Sequence, residues 1–513
     1  MVGVRFQWLV CGSQGRGGSR TAPTGWVGDD QNPVKMIGHD NQFIQFDVGM
    51  LNGQPLPCIR HHRPQFIQLL LPSLIGQPGD RRAILMGLAS SLGSEERGVR
   101  SEVAKLPLRE AMQFAGLMWG TSRLFVLLAI GIVSLLDEEV PDGWMAFAQW
   151  DGEHYVGIAE TGYRFQNDGQ GYNVAFFPLF PLLMRAGMAI GLAPEVAGTL
   201  INNLAFFGAW VVLYLWMLER HDRTLAKWSV AALAWNPFSL FGSMVYTEGL
   251  FLLGSTAALR AFDKRQYGWA SAWGIVTTTI RTPGIALVPT FLLAAWQEKR
   301  GVAAYLTAIG TTLGLLLYML YCWHQFDEPL AFIWAQRGWR PPQRYFGAAW
   351  VSLFLKALVG YANEDERRLV DPWYPLAIGL IIGLGFLLWS LRHRLGFPKT
   401  GYGFCLLVIL LWLVAGTPLV NIVTVFGGVY LIWHLRHELN RFAFYYGIFS
   451  WFIILGNGRT ISAERFAFGC VTLSIALGIL FSKAPRWGYA TLFFFAILLG
   501  SLSVRFAQGL WAG

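Results

Sequence analysis

Residues 150–181 read WDGEHYVGIAETGYRFQNDGQGYNVAFFPLFP, and this stretch decides how the rest of the chain is arranged. It places Asp151, Glu153, His154 and Glu160 directly after a long apolar segment, in a chain that otherwise carries little charge. Ionisable groups near hydrocarbon lose hydration, so they are costly to keep there unless they have a function. We therefore predict that the chemistry of the protein lies in this stretch.

The composition indicates a multi-pass membrane protein. Hydrophobic residues make up 54% of the 513 residues and charged residues only 14%, whereas soluble domains carry about 25% charged residues. Several apolar runs reach the roughly 20 residues that a helix needs to cross about 30 Å of hydrocarbon. The 23 tryptophans and 17 tyrosines are typical of aromatic belts at membrane interfaces. Soluble classes are therefore excluded, and we predict an all-α polytopic membrane protein.

The spacing of charged and metal-ligating residues excludes several functions. The net charge is +9, but Lys and Arg lie in short loops between apolar runs and form no single basic tract, so we predict no nucleic-acid partner. His39, His61 and His62 have no metal-ligand spacing, and no CxxC pair occurs, so we predict neither a metal site nor a disulfide framework. The cysteines are Cys11, Cys58, Cys322, Cys405 and Cys470.

Residues 1–110 differ in composition from the remainder of the chain. They are rich in Gly, Arg, Gln, Pro and His, and they lack the order of a cleavable signal peptide. We predict a poorly ordered cytoplasmic extension followed by one membrane domain over residues 111–513. A sharper hypothesis is that the extension is not native, because a start at Met112 or slightly earlier would place a short basic leader before the first span.

The first predicted span, at about residues 119–136, sets the orientation of the chain. Lys105, Arg109 and Arg123 precede it and acids follow it at 137–139, so the positive-inside rule places the first extracytoplasmic loop at residues 137–197.

The apolar run that follows, AFFPLFPLLMRAGMAIGLAP, is interrupted by Pro178 and Pro181 and contains Arg185. A re-entrant helix and a full span both fit this run.

Basic clusters recur between the later apolar runs. If all of them are cytoplasmic, the chain forms about 11–13 transmembrane or re-entrant helices. Two of the resulting hairpins have arms of only about 15 residues, roughly 22 Å, so their turns lie at the depth of Asp151 on the outer side. These turns carry Glu248 and Arg281. The outward turns fall near 246–248, near 281–283, in a long outer loop at 323–372, near 417–418 and at 456–465.

Each candidate residue has a functional and a structural interpretation. Asp151, between a tryptophan and a glycine, suits a general base on a tight turn, but it also fits an ordinary loop acid, as does Glu153. Arg281 lies between two apolar half-helices and must find an anion, which is either Glu248 in a structural ion pair or a substrate phosphate. Arg465 can serve the same phosphate, as can Arg459, for which a solvated loop position is the simpler explanation.

The long outer loop is rich in aromatic and basic residues. Aromatic rings over sugar faces and arginines beside phosphates would form an acceptor surface, although interfacial anchoring explains the aromatic residues more simply. The residues are Trp323, Trp334, Trp339, Tyr345, Phe346 and Trp350, with Arg337, Arg340 and Arg344.

Three blocks of the sequence resemble the GPI mannosyltransferase II (PIG-V) family of the GT-C glycosyltransferases. WDGEHYVGIAETGY followed by AFFPLFPLLMR is similar to the signature of the family, and NPFSLFGSMVYTEGLF at 236–251 is similar to its second block. TIRTPGIAL at 279–287 is similar to its arginine-containing third block. ERFAFG at 464–469 faintly resembles a late segment of the family, with Phe466 in place of an expected tyrosine.

The resemblance implies a GT-C bundle that transfers a hexose, typically mannose, from a polyprenyl phosphate sugar on the extracytoplasmic side, with inversion. It assigns the catalytic acid of the first outer loop to Asp151. Since phosphate is a good leaving group, one base and cations that receive its charge suffice. The expected partners are the donor, a lipid-linked or glycan acceptor, and membrane lipids. The expected catalytic residues are Asp151, Glu153 and His154, and the expected substrate-binding residues are Tyr155, Tyr246, Glu248, Arg281 and Arg465.

The main rival hypothesis is a transporter or lipid flippase in which Glu248 and Arg281 line a path through the membrane. The absence of a convincing internal repeat weakens that hypothesis, and a non-catalytic scaffold would leave the outward charges unexplained. We expect no cofactor, although a divalent ion bridging Asp151 and the donor phosphate is compatible with the sequence. A bacterial plasma membrane is the favoured location, and the endoplasmic reticulum is the alternative for a eukaryotic host.

Overall fold

A computed structural model describes residues 35–37, 43–45, 50–51, 54–55, 78–136, 143–339, 347–458 and 460–512. Several predictions therefore concern residues outside the described ranges. These residues are His39, His61, His62, Cys11, Cys58, the acids at 137–139, Arg340, Arg344, Tyr345, Phe346 and Arg459.

The chain divides into two compact units, Met1–Glu96 and Arg97–Gly513. The first unit contains two short antiparallel hairpins, which the sequence analysis did not predict. Lys35–Ile37 pairs with Phe43–Gln45, and Met50–Leu51 pairs with Gln54–Pro55. Asn52 and Gly53 separate the second pair of strands, and Asn-Gly is the dipeptide that most strongly favours a two-residue hairpin turn.

The described part of the second unit is helical, which confirms the all-α prediction for the membrane domain. Within the described ranges, six helices are long and apolar enough to cross a membrane, so the prediction of a multi-pass membrane protein is also confirmed. By length and composition these spans are Pro107–Leu136, Pro194–Arg220, Val302–Phe326, Trp373–Ser390, Pro398–His434 and Pro485–Ala507.

Shorter α-helices lie between these spans, and two of them, Asp151–Thr161 and Arg441–Gly456, bring one end to the candidate site described below. Four of the shorter helices are apolar: Leu179–Ala189, Ala348–Val359, Arg441–Gly456 and Val471–Lys483. The others of ten or more residues are Asp151–Thr161, Arg223–Trp235, Glu248–Asp263, Tyr267–Thr278 and Leu287–Gln297.

Arg123 does not flank the first span, as the sequence analysis expected, but lies inside it. The candidate span begins at Pro107, and Arg123 is 4% exposed. Its Nη1 donates to Ser239 O at 2.6 Å and to Ser243 Oγ at 2.8 Å, and its Nη2 donates to Ser239 Oγ at 2.9 Å. The guanidinium is tolerated there because carbonyl and hydroxyl oxygens satisfy its donors.

The proline-containing run after the first loop forms the helix Leu179–Ala189. Its 11 residues span about 16 Å, too short to cross the hydrocarbon, so the structure favours the re-entrant alternative.

The segment predicted as a long outer loop, 323–372, contains helices. The longest of these helices, Ala348–Val359, forms because Trp350, Leu353 and Ala357 fall on one buried face at helical spacing. The helices are Ala331–Ala335, Gln336–Trp339, Ala348–Val359 and Tyr361–Glu366.

Asn202 fixes the segment that carries Tyr246 and Glu248 into the site. Its side-chain amide donates to Phe241 O at 2.7 Å and to Met244 O at 2.9 Å, and its Oδ1 accepts from Gly249 N at 2.8 Å. A Cβ at Gly249 would lie 2.3 Å from Asn202 O, so only glycine permits this approach. Three hydrogen bonds from one buried amide therefore set the position of the turn at 244–249.

Candidate active site

A cavity of about 1070 Å³ is lined by residues from three of the predicted outward turns, 281–283, 323–372 and 456–465. The helix that begins at Asp151 forms one wall, Arg281 enters from the turn at 279–281, and Arg465 enters from the short helix Ala463–Phe468. The sequence analysis predicted that Asp151 and Arg281 would share one depth, and both side chains line this cavity. The cavity is lined by residues from the segments 149–155, 175–177, 280–283, 332–339, 453–466 and 509–511.

Four side chains of alternating charge run along this wall. Asp151 Oδ2 accepts from Arg465 Nη2 at 2.8 Å, and Arg465 Nε lies 3.5 Å from Glu248 Oε1. The same Glu248 oxygen accepts from Arg281 Nη1 at 2.6 Å. The side chains of Glu248 and Arg465 are each 6% exposed, that of Arg281 13% and that of Asp151 26%. Asp151 is therefore the acid of this network that solvent or a substrate reaches most readily.

The guanidinium of Arg465 retains hydrogen-bonding capacity. Among the described residues, its Nη1 and the Oε2 of Glu248 have no hydrogen-bond partner. A buried donor without a partner in a cavity wall indicates a ligand or an ordered water. Burial alone would lower the pKa of Arg465, but the nearby Asp151 and Glu248 raise it, so the guanidinium stays charged.

Aromatic rings hold the two arginines in place. Arg465 Cζ lies 5.0 Å from the ring centroid of Phe241 and 5.3 Å from that of Tyr246, and Arg281 Cζ lies 4.6 Å from that of Phe466. Cation–π contacts of this kind restrict a guanidinium without consuming its N–H donors. These contacts therefore restrict both guanidinium groups at the cavity.

The backbone around Asp151 is fixed by Tyr246. The Asp151 N–H donates to Tyr246 Oη at 3.3 Å, and the Tyr246 hydroxyl donates to Gln149 O at 3.3 Å. Burial raises the pKa of Tyr246 well above its usual value, so the hydroxyl remains a donor.

The predicted site residues thus divide into two groups. Asp151, Glu153, His154, Tyr155, Arg281 and Arg465 line the cavity, whereas Glu248 and Tyr246 lie behind its wall and support the residues that do. Tyr155 is 5% exposed, and its ring packs edge-on against Phe176 and Phe180 with centroids 5.1 Å apart in each pair. Its contacts are mainly those of a core residue.

An aromatic cluster, which we call the aromatic wall, consists of His154, Phe176 and Trp339. The ring of His154 stacks on Phe176 with centroids 4.8 Å apart, and Trp339 lies 5.6 Å from His154 and 5.8 Å from Phe176. Glycines permit this arrangement, because a Cβ at Gly171 would lie 2.5 Å from the Trp339 ring. Sequence analysis included Trp339 among the loop aromatics but gave Phe176 no role.

Two further cavity-lining residues had no signal in the sequence. Gln149 and Trp511 line the cavity beside Asp151. Trp511 resembles any other interfacial tryptophan, and only its contact with the Asp151 turn distinguishes it. Within the described ranges, no three His, Cys, Asp or Glu side chains cluster in a way that would hold a metal ion.

Fold and site together define a multi-pass helical membrane protein whose cavity combines two acids, Asp151 and Glu153, with two arginines and an aromatic wall. Residues 117–298 match the family model described as Mannosyltransferase (PIG-V). This segment contains Asp151, Glu248 and Arg281, and the match confirms the family resemblance that the sequence blocks indicated.

Curated relatives and a solved structure show where the similarity lies. GPI alpha-1,6-mannosyltransferase 2 of Rattus norvegicus is 28% identical over 232 residues, which cover 38% of this chain and 45% of the relative. The Homo sapiens protein of the same name is 24% identical over 304 residues, 51% of this chain and 60% of the relative. The chain therefore spans about half the length of these relatives. A crystal structure of an Archaeoglobus fulgidus oligosaccharyltransferase aligns with 76% of this chain and with 53% of the oligosaccharyltransferase chain. The sequence identity is 15% and the TM-score is 0.36.

Proposed function

We propose that the protein is a membrane glycosyltransferase that moves a hexose, in the first instance mannose, from a polyprenyl phosphate sugar to a lipid-linked or glycan acceptor. The observation that carries this proposal is the placement of Asp151, Arg465 and Arg281 along one wall of a single cavity. One base and two cations are what the displacement of a phosphate by a hydroxyl requires.

The phosphate of the donor is assigned to Arg465 and Arg281. Guanidinium groups bind phosphate oxygens through charge-assisted hydrogen bonds, and Arg465 Nη1 is a buried donor without a partner among the described residues. As the glycosidic bond breaks, negative charge collects on the phosphate, and both cations stabilise it.

Asp151 is assigned the role of general base. Its carboxylate accepts the proton of the acceptor hydroxyl, whose oxygen attacks the anomeric carbon from the face opposite the phosphate, so configuration is inverted. Arg465 holds Asp151 at 2.8 Å before the donor arrives. A phosphate that draws hydrogen bonds from Arg465 weakens that contact and leaves the Asp151 oxygen free to accept the proton, which couples donor binding to use of the base.

The aromatic wall is assigned to a sugar ring. Aromatic faces pack against the apolar C–H face of a pyranose, while Glu153 and Gln336 in the same cavity offer polar contacts for hydroxyl groups. We assign this cavity to the extracytoplasmic side because the basic loops, by the positive-inside rule, predict that orientation, and we expect the host membrane to be a bacterial plasma membrane or, in a eukaryotic host, the endoplasmic reticulum.

The transporter alternative is not favoured by any feature of the site. Glu248 and Arg281 bind each other at 2.6 Å, and Glu248 lies behind the cavity wall. A substrate path would require these charges to be accessible in turn from both membrane faces.

A transfer assay tests the proposed function. The purified full-length protein, in a sugar-free detergent, is incubated with tritiated polyprenyl phosphate mannose or polyprenyl phosphate glucose and with octyl α-mannoside as a hydroxyl acceptor. We expect mannosylated octyl mannoside from the wild type and none from Asp151→Asn. Equal product from the two proteins, or product from neither donor across a panel of glycolipid acceptors, contradicts the proposal.

A further inference from the structure

The backbone at Trp150, directly before Asp151, adopts a conformation that residues other than glycine rarely adopt. Its φ is 60° and its ψ is −116°. Such a conformation costs free energy and persists only where surrounding contacts hold it, most often at functional sites. The contacts that hold Trp150 therefore also determine the direction of Asp151.

Two of these contacts come from Tyr246, which bonds the residues on either side of Trp150. The hydroxyl accepts from Asp151 N and donates to Gln149 O, each at 3.3 Å. These bonds fix the flanking peptide groups but leave the indole ring of Trp150 unrestrained.

The indole is held by the segment 505–512, which begins in the last turn of the span Pro485–Ala507. Trp511 meets Trp150 edge to face, with centroids 5.0 Å apart and planes at 83°. Gln149 Nε2 also donates to Ala507 O at 3.4 Å. The segment therefore touches both Trp150 and its preceding neighbour.

Arg505 closes this segment into a compact loop. Its Nε and Nη2 donate to Trp511 O at 3.3 and 3.0 Å, and the Leu510 N–H donates to Arg505 O at 2.9 Å. Gly509, with φ of +67°, makes the turn between them. Trp511, Gly509, Trp150 and Asp151 all line the cavity, so the loop is part of its wall.

We infer that Trp511, held by Arg505, is a positioning residue that keeps the Asp151 carboxylate aimed at Arg465 and into the cavity. This inference rests on the role proposed above for Asp151. Without the Trp511 ring, the two 3.3 Å hydrogen bonds of Tyr246 are left to oppose relaxation of Trp150 to a negative φ. That relaxation rotates the peptide group joining Trp150 to Asp151 and turns the carboxylate away from the cavity. Arg505 and Trp511 lie outside the segment matched by the family model.

Carboxyl labelling tests the inference without depending on transfer activity. The purified protein is treated with a water-soluble carbodiimide and glycinamide, and modification of Asp151 is quantified by mass spectrometry relative to Glu160, an exposed acid of the same helix. We expect several-fold more Asp151 modification in Trp511→Ala than in the wild type, because its contact with Arg465 is lost. Trp511→Phe, which retains a ring against Trp150, should label as the wild type does.

A matched control is Trp373→Ala, which removes a tryptophan that is 74% exposed. Its Asp151 labelling should equal that of the wild type. Unchanged Asp151 labelling in Trp511→Ala would overturn the inference whether or not the proposed transfer occurs. So would equal labelling of Trp511→Ala and Trp511→Phe, because a general loss of folding rather than positioning would then explain the result.

Kinetics give the second readout. In the transfer assay, Trp511→Ala should lower kcat by about 10- to 100-fold, because a displacement on the order of 1 Å of a reacting group has that effect. The donor KM should stay within about twofold, since the phosphate site is untouched. A rise in donor KM with kcat unchanged would contradict a positioning role for Trp511. If the wild type transfers no sugar while Trp511→Ala still exposes Asp151, the positioning role stands and the proposed function fails.

Discussion

Arg465 Nη2 lies 2.8 Å from Asp151 Oδ2, which joins two residues 314 positions apart in the chain. The same guanidinium contacts Glu248, and Glu248 in turn binds Arg281. One cation therefore connects the predicted base to the remaining charges of the site, and most of the expected behaviour of variants follows from this connection.

Asp151→Asn should abolish transfer and leave the protein folded. The amide is nearly isosteric and can still accept from Arg465, but it cannot take the proton of the acceptor hydroxyl. Donor binding should change little, because Arg281 and Arg465 remain. The measurement is product formation together with binding of tritiated polyprenyl phosphate mannose. Glu160→Gln, on the exposed side of the same helix, is the control. Turnover in Asp151→Asn would remove Asp151 from the mechanism.

Arg465→Gln should impair both folding and catalysis. Removing one member of a buried ion pair leaves uncompensated acids, which typically costs about 3–5 kcal/mol. Loss of a cation at the phosphate should lower kcat by roughly 100- to 1000-fold. Arg465→Lys should recover part of the stability but little of the rate, because an ammonium group cannot contact Asp151 and Glu248 at the same time as the planar guanidinium does. Thermal unfolding and initial rates are measured on the same preparations. A fully active Arg465→Lys would show that only the charge matters.

Variants of Glu248 and Arg281 distinguish a structural ion pair from a phosphate-binding site. The sequence left these alternatives open, and the structure shows both an ion pair and a lining position for Arg281. We expect Arg281→Gln to raise the donor KM more than tenfold, whereas Glu248→Gln should chiefly lower stability. A double-mutant cycle on the unfolding free energy measures the pair itself. Equal donor KM values in Arg281→Gln and the wild type would leave only the structural role.

The sequence offered the Glu248–Arg281 ion pair as one of two alternatives, but it did not predict that Arg465 pairs with Asp151. Short helical arms and basic loops were enough to place Glu248, Arg281 and Asp151 at one depth, because bilayer thickness constrains arm length. The pairing of Arg465 with Asp151 depends on how distant helices are rotated against one another, which no local pattern encodes. The positions of Trp511 and Trp339 in the cavity wall could not be predicted either, because a tryptophan in a site and a tryptophan in an interfacial belt have the same appearance in the sequence.

Local signals were also overlooked or misjudged. The strand pair Met50–Leu51 and Gln54–Pro55 lies in a segment that the sequence analysis predicted to be poorly ordered. Arg123 was taken for a flanking charge because its neutral partners, Ser239 and Ser243, lie more than a hundred residues away.

Glu464 should make stability depend on pH. Burial raises the pKa of its carboxyl from 4.5 to about 7, and its Oε2 has no hydrogen-bond partner among the described residues. A carboxyl whose pKa is raised on folding stabilises the folded state fully below the unfolded value of 4.5. That contribution is lost as the pH rises to about 7 and levels off above it. Melting temperature, measured from pH 4 to 8, should therefore fall more for the wild type than for Glu464→Gln. Parallel curves for the two proteins would contradict the assignment.

The aromatic wall should control how well a sugar ring binds, and Trp339 is the residue to test. Its ring lies 5.6 Å from His154 and 5.8 Å from Phe176, so its removal opens the wall without touching the charged residues. Stacking on an aromatic face depends on ring area rather than on the indole N–H, so Trp339→Phe should retain much of the binding and Trp339→Ala little. We expect Trp339→Ala to raise the KM for octyl α-mannoside about tenfold, equivalent to 1.4 kcal/mol, while the KM for polyprenyl phosphate mannose stays near the wild-type value. Trp323→Ala, which removes a tryptophan that is 59% exposed and absent from the cavity lining, is the matched control. If the donor KM rises instead, the wall holds the transferred sugar rather than the acceptor. If neither KM changes, Trp339 serves only to anchor its segment, as interfacial tryptophans commonly do.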